Sequence, residues 1–196
     1  MSSTSNGATD GGSLQRQFGR QALRAPLVTE WFDAVRLHHG TSVADLGSGP
    51  GYVSLRAAER VGEHGRVYAV DESAEAIAML QRTTALHHLT QIHAVHADVA
   101  SLTSLPGPVD AALLVMVLHH VDDPAGVLAH VHGLIPEDTR LLVAEFAPDG
   151  PGRVGPPLVN RLSPSAVREM AVAAGFDTDL EERQSAEHWF CVLTPA

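Results

Sequence analysis

Acidic and imidazole side chains stand where apolar runs of this chain end: Asp45, Asp71 with Glu72, Asp98, and the pair His119-His120. A carboxylate can accept hydrogen bonds from a diol or hold an ammonium group. A neutral imidazole can take a proton from a hydroxyl, amine or thiol near neutral pH. Behind Asp45 comes Leu46-Gly47-Ser48-Gly49-Pro50-Gly51, with three glycines at alternate positions. Glycine reaches backbone angles closed to other residues and lets a ligand approach the main chain. A helix starting at Tyr52 adds unpaired N–H groups to the same place. Main-chain donors, carboxylates and a proton acceptor are thus gathered as parts of one polar-ligand site.

The elements that must hold these groups alternate. Strands are predicted over Ser42–Leu46, Arg66–Val70, Ile92–His96, Asp110–Val117 and Arg140–Glu145. Helices are predicted over Tyr52–Val61, from Ser73 to about Leu86, from Asp123-Pro124 to Leu134, and from Ser163-Pro164 to about Ala174. That order implies an α/β, doubly wound, mainly parallel sheet, whose ligands sit outside the C-terminal ends of the strands. Two closing strands, Asp177–Glu182 and His188–Thr194, are joined by too few residues for a helical crossover, so they pair antiparallel. The sheet then has seven strands. Ahead of it, residues 1–13 read as a disordered Ser/Thr/Gly-rich tail. Residues 14–40 read as a helical cap, with a loose helix over Gln15–Ala25 and a second from Pro26 to about His38. Residues 14–196 form a single domain.

Composition narrows the partners. The chain has 196 residues, 44% of them hydrophobic, enough for one full-sized core. The formal net charge of -10 argues against broad binding to nucleic acid or anionic membranes. No apolar run approaches a membrane span, and the N-terminus lacks a basic-then-apolar signal pattern, so a cytoplasmic location is expected. One cysteine, Cys191, excludes an internal disulfide and a cysteine zinc cage. The twelve histidines recur in pairs, but neighbours such as His38-His39 and His87-His88 point apart, and no metal site is expected.

The run from Val43 to Gly51, with Asp45 two residues before the first glycine, resembles motif I of the class I S-adenosylmethionine (SAM) dependent methyltransferases. Ala44 replaces the usual leucine. Met116-Val117-Leu118-His119-His120-Val121-Asp122-Asp123-Pro124 resembles a segment of the small-molecule subgroup that includes ubiquinone-biosynthesis-type enzymes. The resemblance implies a Rossmann-like seven-stranded fold and SAM as cofactor, with S-adenosylhomocysteine (SAH) released. It implies a methyl group moved to an O, N, C or S atom of a small molecule. It places Gly47, Ser48, Gly49 and Gly51 along the methionine part of SAM and Asp45 at its ammonium. Asp71 and its neighbour Glu72 fall at the ribose, Asp98 and Val99 at the adenine, and Val115 and Met116 beside the methionine end. His119 and His120 are the candidate proton acceptors. Glu145, Phe146, Trp31 and Arg161 are candidates for the acceptor side.

Two other classes remain open on the sequence. An NAD(P)-binding oxidoreductase would use Asp71 in the same way. It is disfavoured because Tyr52 stands where a dinucleotide fingerprint needs its third glycine. A SAM-binding protein without turnover fits the short chain. The methyl acceptor and the oligomeric state are not legible.

Overall fold

The computed structural model describes residues 8–196. Helices α1 (Ala8–Ala22) and α2 (Ala25–Ala34) come first. They are followed by β1 (Ser42–Leu46), α3 (Tyr52–Val61), β2 (Arg66–Asp71), α4 (Ala74–Leu86) and β3 (Ile92–His96). Next are β4 (Ala111–Val115), α5 (Pro124–Leu134), β5 (Arg140–Phe146) and α6 (Pro164–Ala173), then β6 (Phe176–Arg183) and β7 (His188–Pro195). The seven strands form one sheet in the order β3-β2-β1-β4-β5-β7-β6. Pairing is parallel from β3 to β5, whereas β7 runs antiparallel to both β5 and β6. This is the expected doubly wound sheet with a closing hairpin.

Alternation along each strand feeds two core layers. On β1, Val43 faces the layer built with Trp31, Phe32, Val53, Ala57, Val61 and Leu80. Its neighbour Ala44 faces the layer built with Leu128, Val131, Val167 and Ala171. The central strand β4 is buried on both faces, as a parallel strand covered by helices must be. Ser73, Asp123 and Ser163 start their helices as read, each side chain accepting an N–H three residues on. Such a cap contributes about 1 kcal/mol.

Several boundaries differ, three of them for reasons visible in the backbone or the described span. Helix α1 begins at Ala8, inside the stretch read as tail; residues 1–7 of that stretch lie outside the described residues. Helix α2 ends at Ala34, four residues short of His38, because Arg36 takes a left-handed φ of 57°. Strand β4 stops at Val115 rather than Val117, because Met116 turns to a φ of 58°. Among the described residues no helix is long and apolar enough to cross a membrane.

Candidate active site

The glycine turn after β1 is fixed by backbone and carboxylate together. Gly47 and Gly51 have φ of 79° and 92°. A Cβ on Gly47 would lie 2.5 Å from Val117 Cγ2, and one on Gly51 would enter the Leu80 side chain. Neither position admits a side chain by conformation or by space. The N–H groups of Gly47 and Ser48 donate to the Val70 carbonyl at 2.8 and 2.9 Å. The N–H of Gly49 donates to Asp71 Oδ2 at 2.6 Å, and that of Ser73 to Asp71 Oδ1 at 2.9 Å. Asp71 therefore braces the turn, while Ser73 caps α4. Each Asp71 oxygen keeps acceptor capacity for a ligand hydroxyl. The Glu72 side chain is exposed, and its carbonyl meets His96 Nε2 at 3.0 Å.

Asp45, on β1, and Asp98, two residues beyond β3, stand either side of Asp71 in strand order. Asp45 is buried, and Ser54 Oγ donates to its Oδ2 at 2.5 Å. Burial pushes its pKa up to about 6; the Ser54 hydrogen bond opposes that rise and the charge of Asp71 adds to it. Asp98 Oδ1 accepts from Ala100 N at 2.9 Å and caps a single turn at Val99–Ser101, so one of its oxygens has a structural role. The Val99 side chain packs into the core. Ser48 is buried beneath the turn. Three carboxylates thus line the C-terminal edge of β3, β2 and β1 around the glycine turn.

The far side of the site is built by β4 and β5. Val115 and Met116 are buried, and Met116 N donates to the Ala144 carbonyl at 2.8 Å. The left-handed Met116 swings the chain so that Val117 covers Gly47 and Leu118–His120 forms one 3-10 turn. That turn aims His119 at the end of β5. His119 Nδ1 lies 2.7 Å from Glu145 Oε2, and His119 N donates to Glu145 Oε1 at 3.3 Å. The two side chains are 3% and 0% exposed. With Nδ1 donating to the carboxylate, the neutral ring presents the Nε2 lone pair outward. Among the described residues Nε2 carries no hydrogen bond and is not one of the sealed, unpartnered atoms. His120 is exposed, with its ring centroid 4.0 Å from that of His119. Burial of its ring atoms and the neighbouring His119 lower its pKa. The structure thus separates two histidines that the sequence treats alike.

Phe146 lines the same end. Its ring lies 5.5 Å from His119 and 5.2 Å from His188, between centroids. Arg24 and Arg161 each place a guanidinium against it, at 5.5 and 5.4 Å. Arg161 is a fastening rather than a contact for an acceptor: it donates to the carbonyls of Ala147, Val154 and Pro156 and to Glu187. Glu187 also accepts from Arg153 N and Gly152 N, so this pair folds the loop after β5. Arg161 holds the Glu187 carboxyl below its ordinary pKa. Trp31 does not line the site either. It is fully buried, and its Nε1 donates to Gln184 Oε1 at 2.7 Å. Sequence reasoning missed Arg24, His188 and Gln21. Gln21 Nε2 donates to the Ser48 carbonyl at 3.2 Å and its Oε1 accepts from Tyr52 N at 3.3 Å, stitching α1 to the glycine turn.

Comparison with known proteins agrees with this architecture. Residues 43–137 match the family model described as "Methyltransferase domain". A protein described as an uncharacterized 37.1 kDa protein in transposon TN4556, from Streptomyces fradiae, is 34% identical over 58% of this chain and 32% of its own length. A 2-phytyl-1,4-naphtoquinone methyltransferase from Trichormus variabilis is 32% identical over 65% of this chain and 55% of its own. The chain thus spans between about a third and about half of the length of these relatives. A SAM dependent methyltransferase from Aquifex aeolicus superposes with a TM-score of 0.78 at 19% identity, covering 86% of this chain and 89% of that one. The residues present fit the cofactor of that family. Asp45, a buried carboxylate with no ion pair among the described residues, is matched by an ammonium, and the remaining acceptor capacity of Asp71 by ribose hydroxyls. The chain thus has the fold of SAM-dependent methyltransferases, and its residues 43–137 are similar to their methyltransferase domain.

Proposed function

We propose that this protein transfers the methyl group of SAM to a small molecule, with His119 as the proton acceptor. The observation that carries the reading is the succession, at the strand ends of one sheet, of Asp98, Asp71 and Asp45 with the glycine turn on the β3-β2-β1 side and the His119–Glu145 pair on the β4-β5 side. Bound SAM supplies an electrophilic methyl on a sulfonium. The chain's own work is to hold the acceptor in line with it and to take a proton from the attacking atom. Glu145 fixes the tautomer and ring orientation of His119 and balances the imidazolium that forms. Asp45 meets the ligand's ammonium, Asp71 its ribose, and Asp98 with the Val99 backbone its adenine; Glu72 is an alternative ribose partner. Gly47, Ser48, Gly49, Gly51, Val115 and Met116 offer their main chain to the methionine part. Within the same reading α1 and α2 cap one domain, and the acceptor is met in the cytoplasm. The net charge of -10 supports an acceptor other than nucleic acid.

Parallel calorimetric titrations with SAM, SAH and NAD test the cofactor. Micromolar SAM or SAH binding without an NAD response supports the reading. NAD binding without SAM overturns it and returns the glycine turn to a dinucleotide role.

A further inference from the structure

Two guanidiniums flank Phe146, and they differ in one respect. Arg161 spends its donors on three carbonyls and Glu187. Arg24, between α1 and α2, makes no ion pair among the described residues. It is nonetheless partly withdrawn from water. Burial lowers its pKa to about 10, an effect that nearby Glu145 opposes and Arg20 reinforces. A cation taken from water without a partner is costly. The carboxylate nearest in charge, Glu145, is committed to His119. Around the same ring, His188 is held neutral, its pKa lowered to about 4 by burial first and Arg24 second. A chain of net charge -10 therefore keeps a positive, donor-rich corner beside its candidate proton acceptor.

We propose that Arg24 is an anion subsite on the acceptor side, so that the methyl acceptor carries a carboxylate within reach of the His119–Glu145 pair. The inference rests on the methyl-transfer reading above. A planar guanidinium presents paired N–H donors that match a carboxylate bidentately, and its charge strengthens both bonds. The cofactor's own carboxylate is a second source of the same chemistry. The acceptor is favoured because Arg24 sits over the residue that ends β5, whereas the row of carboxylates that serves the cofactor lies on β1 to β3.

The test is calorimetry on SAH-saturated protein with a panel of hydroxylated aromatic and aliphatic carboxylic acids, each paired with its primary carboxamide. Carboxylates are expected to bind and their carboxamides to bind about tenfold more weakly, the scale of a charge-assisted pair. Arg24→Met is expected to erase that difference, and Arg24→Lys to keep part of it. If no carboxylate binds the wild type at millimolar concentration, or if carboxamides bind equally well, the subsite is overturned; neither comparison needs a variant to fold. SAH and 5′-methylthioadenosine, which lacks the amino acid, are titrated into wild type and Arg24→Met alongside. An Arg24→Met loss confined to SAH assigns the carboxylate to the cofactor and also overturns the proposal. Failure of the wild type to bind SAH at all removes the methyl-transfer reading itself, a result distinct from these.

Discussion

Asp45 is a buried carboxylate that no ion pair balances among the described residues. Its pKa of about 6 lies above that of an unfolded aspartate, so the folded chain holds the proton more tightly. Stability therefore falls as pH rises between about 4 and 6 and stays reduced above that window. The shift corresponds to a cost on the order of 3 kcal/mol. Asp45→Asn is expected to raise Tm at pH 8, to leave it little changed at pH 4, and to weaken SAH binding. Scanning calorimetry at the two pH values decides it; an unchanged Tm at pH 8 would remove the buried-charge account. His119→Ala is expected to lower turnover about 10²-fold or more while sparing SAH affinity, the range typical of a lost general base. His120→Ala should keep most of the turnover. Glu145→Gln, which keeps a hydrogen-bond acceptor but removes the charge, should lower turnover and move the pH–rate profile. If His120→Ala proves the more damaging variant, the base is assigned to the wrong ring. These histidines were adjacent letters in the sequence, and only a carboxylate 26 residues further on distinguishes them.

The helices that precede the sheet were the least legible part of the chain. Residues 1–13 are rich in Ser, Thr, Gly and Asn with almost no apolar residue, and that composition reads as a tail. Contacts distant in sequence hold the C-terminal half of α1: Gln21 bonds to Ser48 and Tyr52, and Phe18 meets the Tyr52 ring edge-on at 5.6 Å. Gln21→Ala is expected to quicken amide exchange at Tyr52 and along α1 about fivefold, the equivalent of one hydrogen bond near 1 kcal/mol. Exchange unchanged over both segments would show that α1 is held by its apolar face alone. Strand β4 was overextended for a related reason. Its apolar run continues past Val115, and nothing local to Met116 signals the left-handed turn that ends the strand and directs Val117 onto Gly47.

The sheet as a whole could be read because its cues are local and repeated: apolar runs, capping residues, and a link from Arg183 to His188 too short for a helix. The glycine turn and the acids at the ends of β1, β2 and β3 followed from that frame. What could not be read was which side chains meet across it, as the Arg161–Glu187 and Trp31–Gln184 pairs show. The hairpin that closes the sheet also leaves β6 as an outer strand, along which Asp177 and Glu182 are exposed while Asp179 and Glu181 pair with Arg140 and Arg168. A bare strand edge invites a second chain to extend the sheet, and like charges on both partners oppose that pairing. The deterrent is electrostatic, so acidification or high salt removes it. Light scattering is expected to stay low near pH 8 and to rise as pH falls toward 4, sooner in Asp177→Asn/Glu182→Gln than in wild type. Two side chains on the outer strand would then set the colloidal shelf life of the preparation.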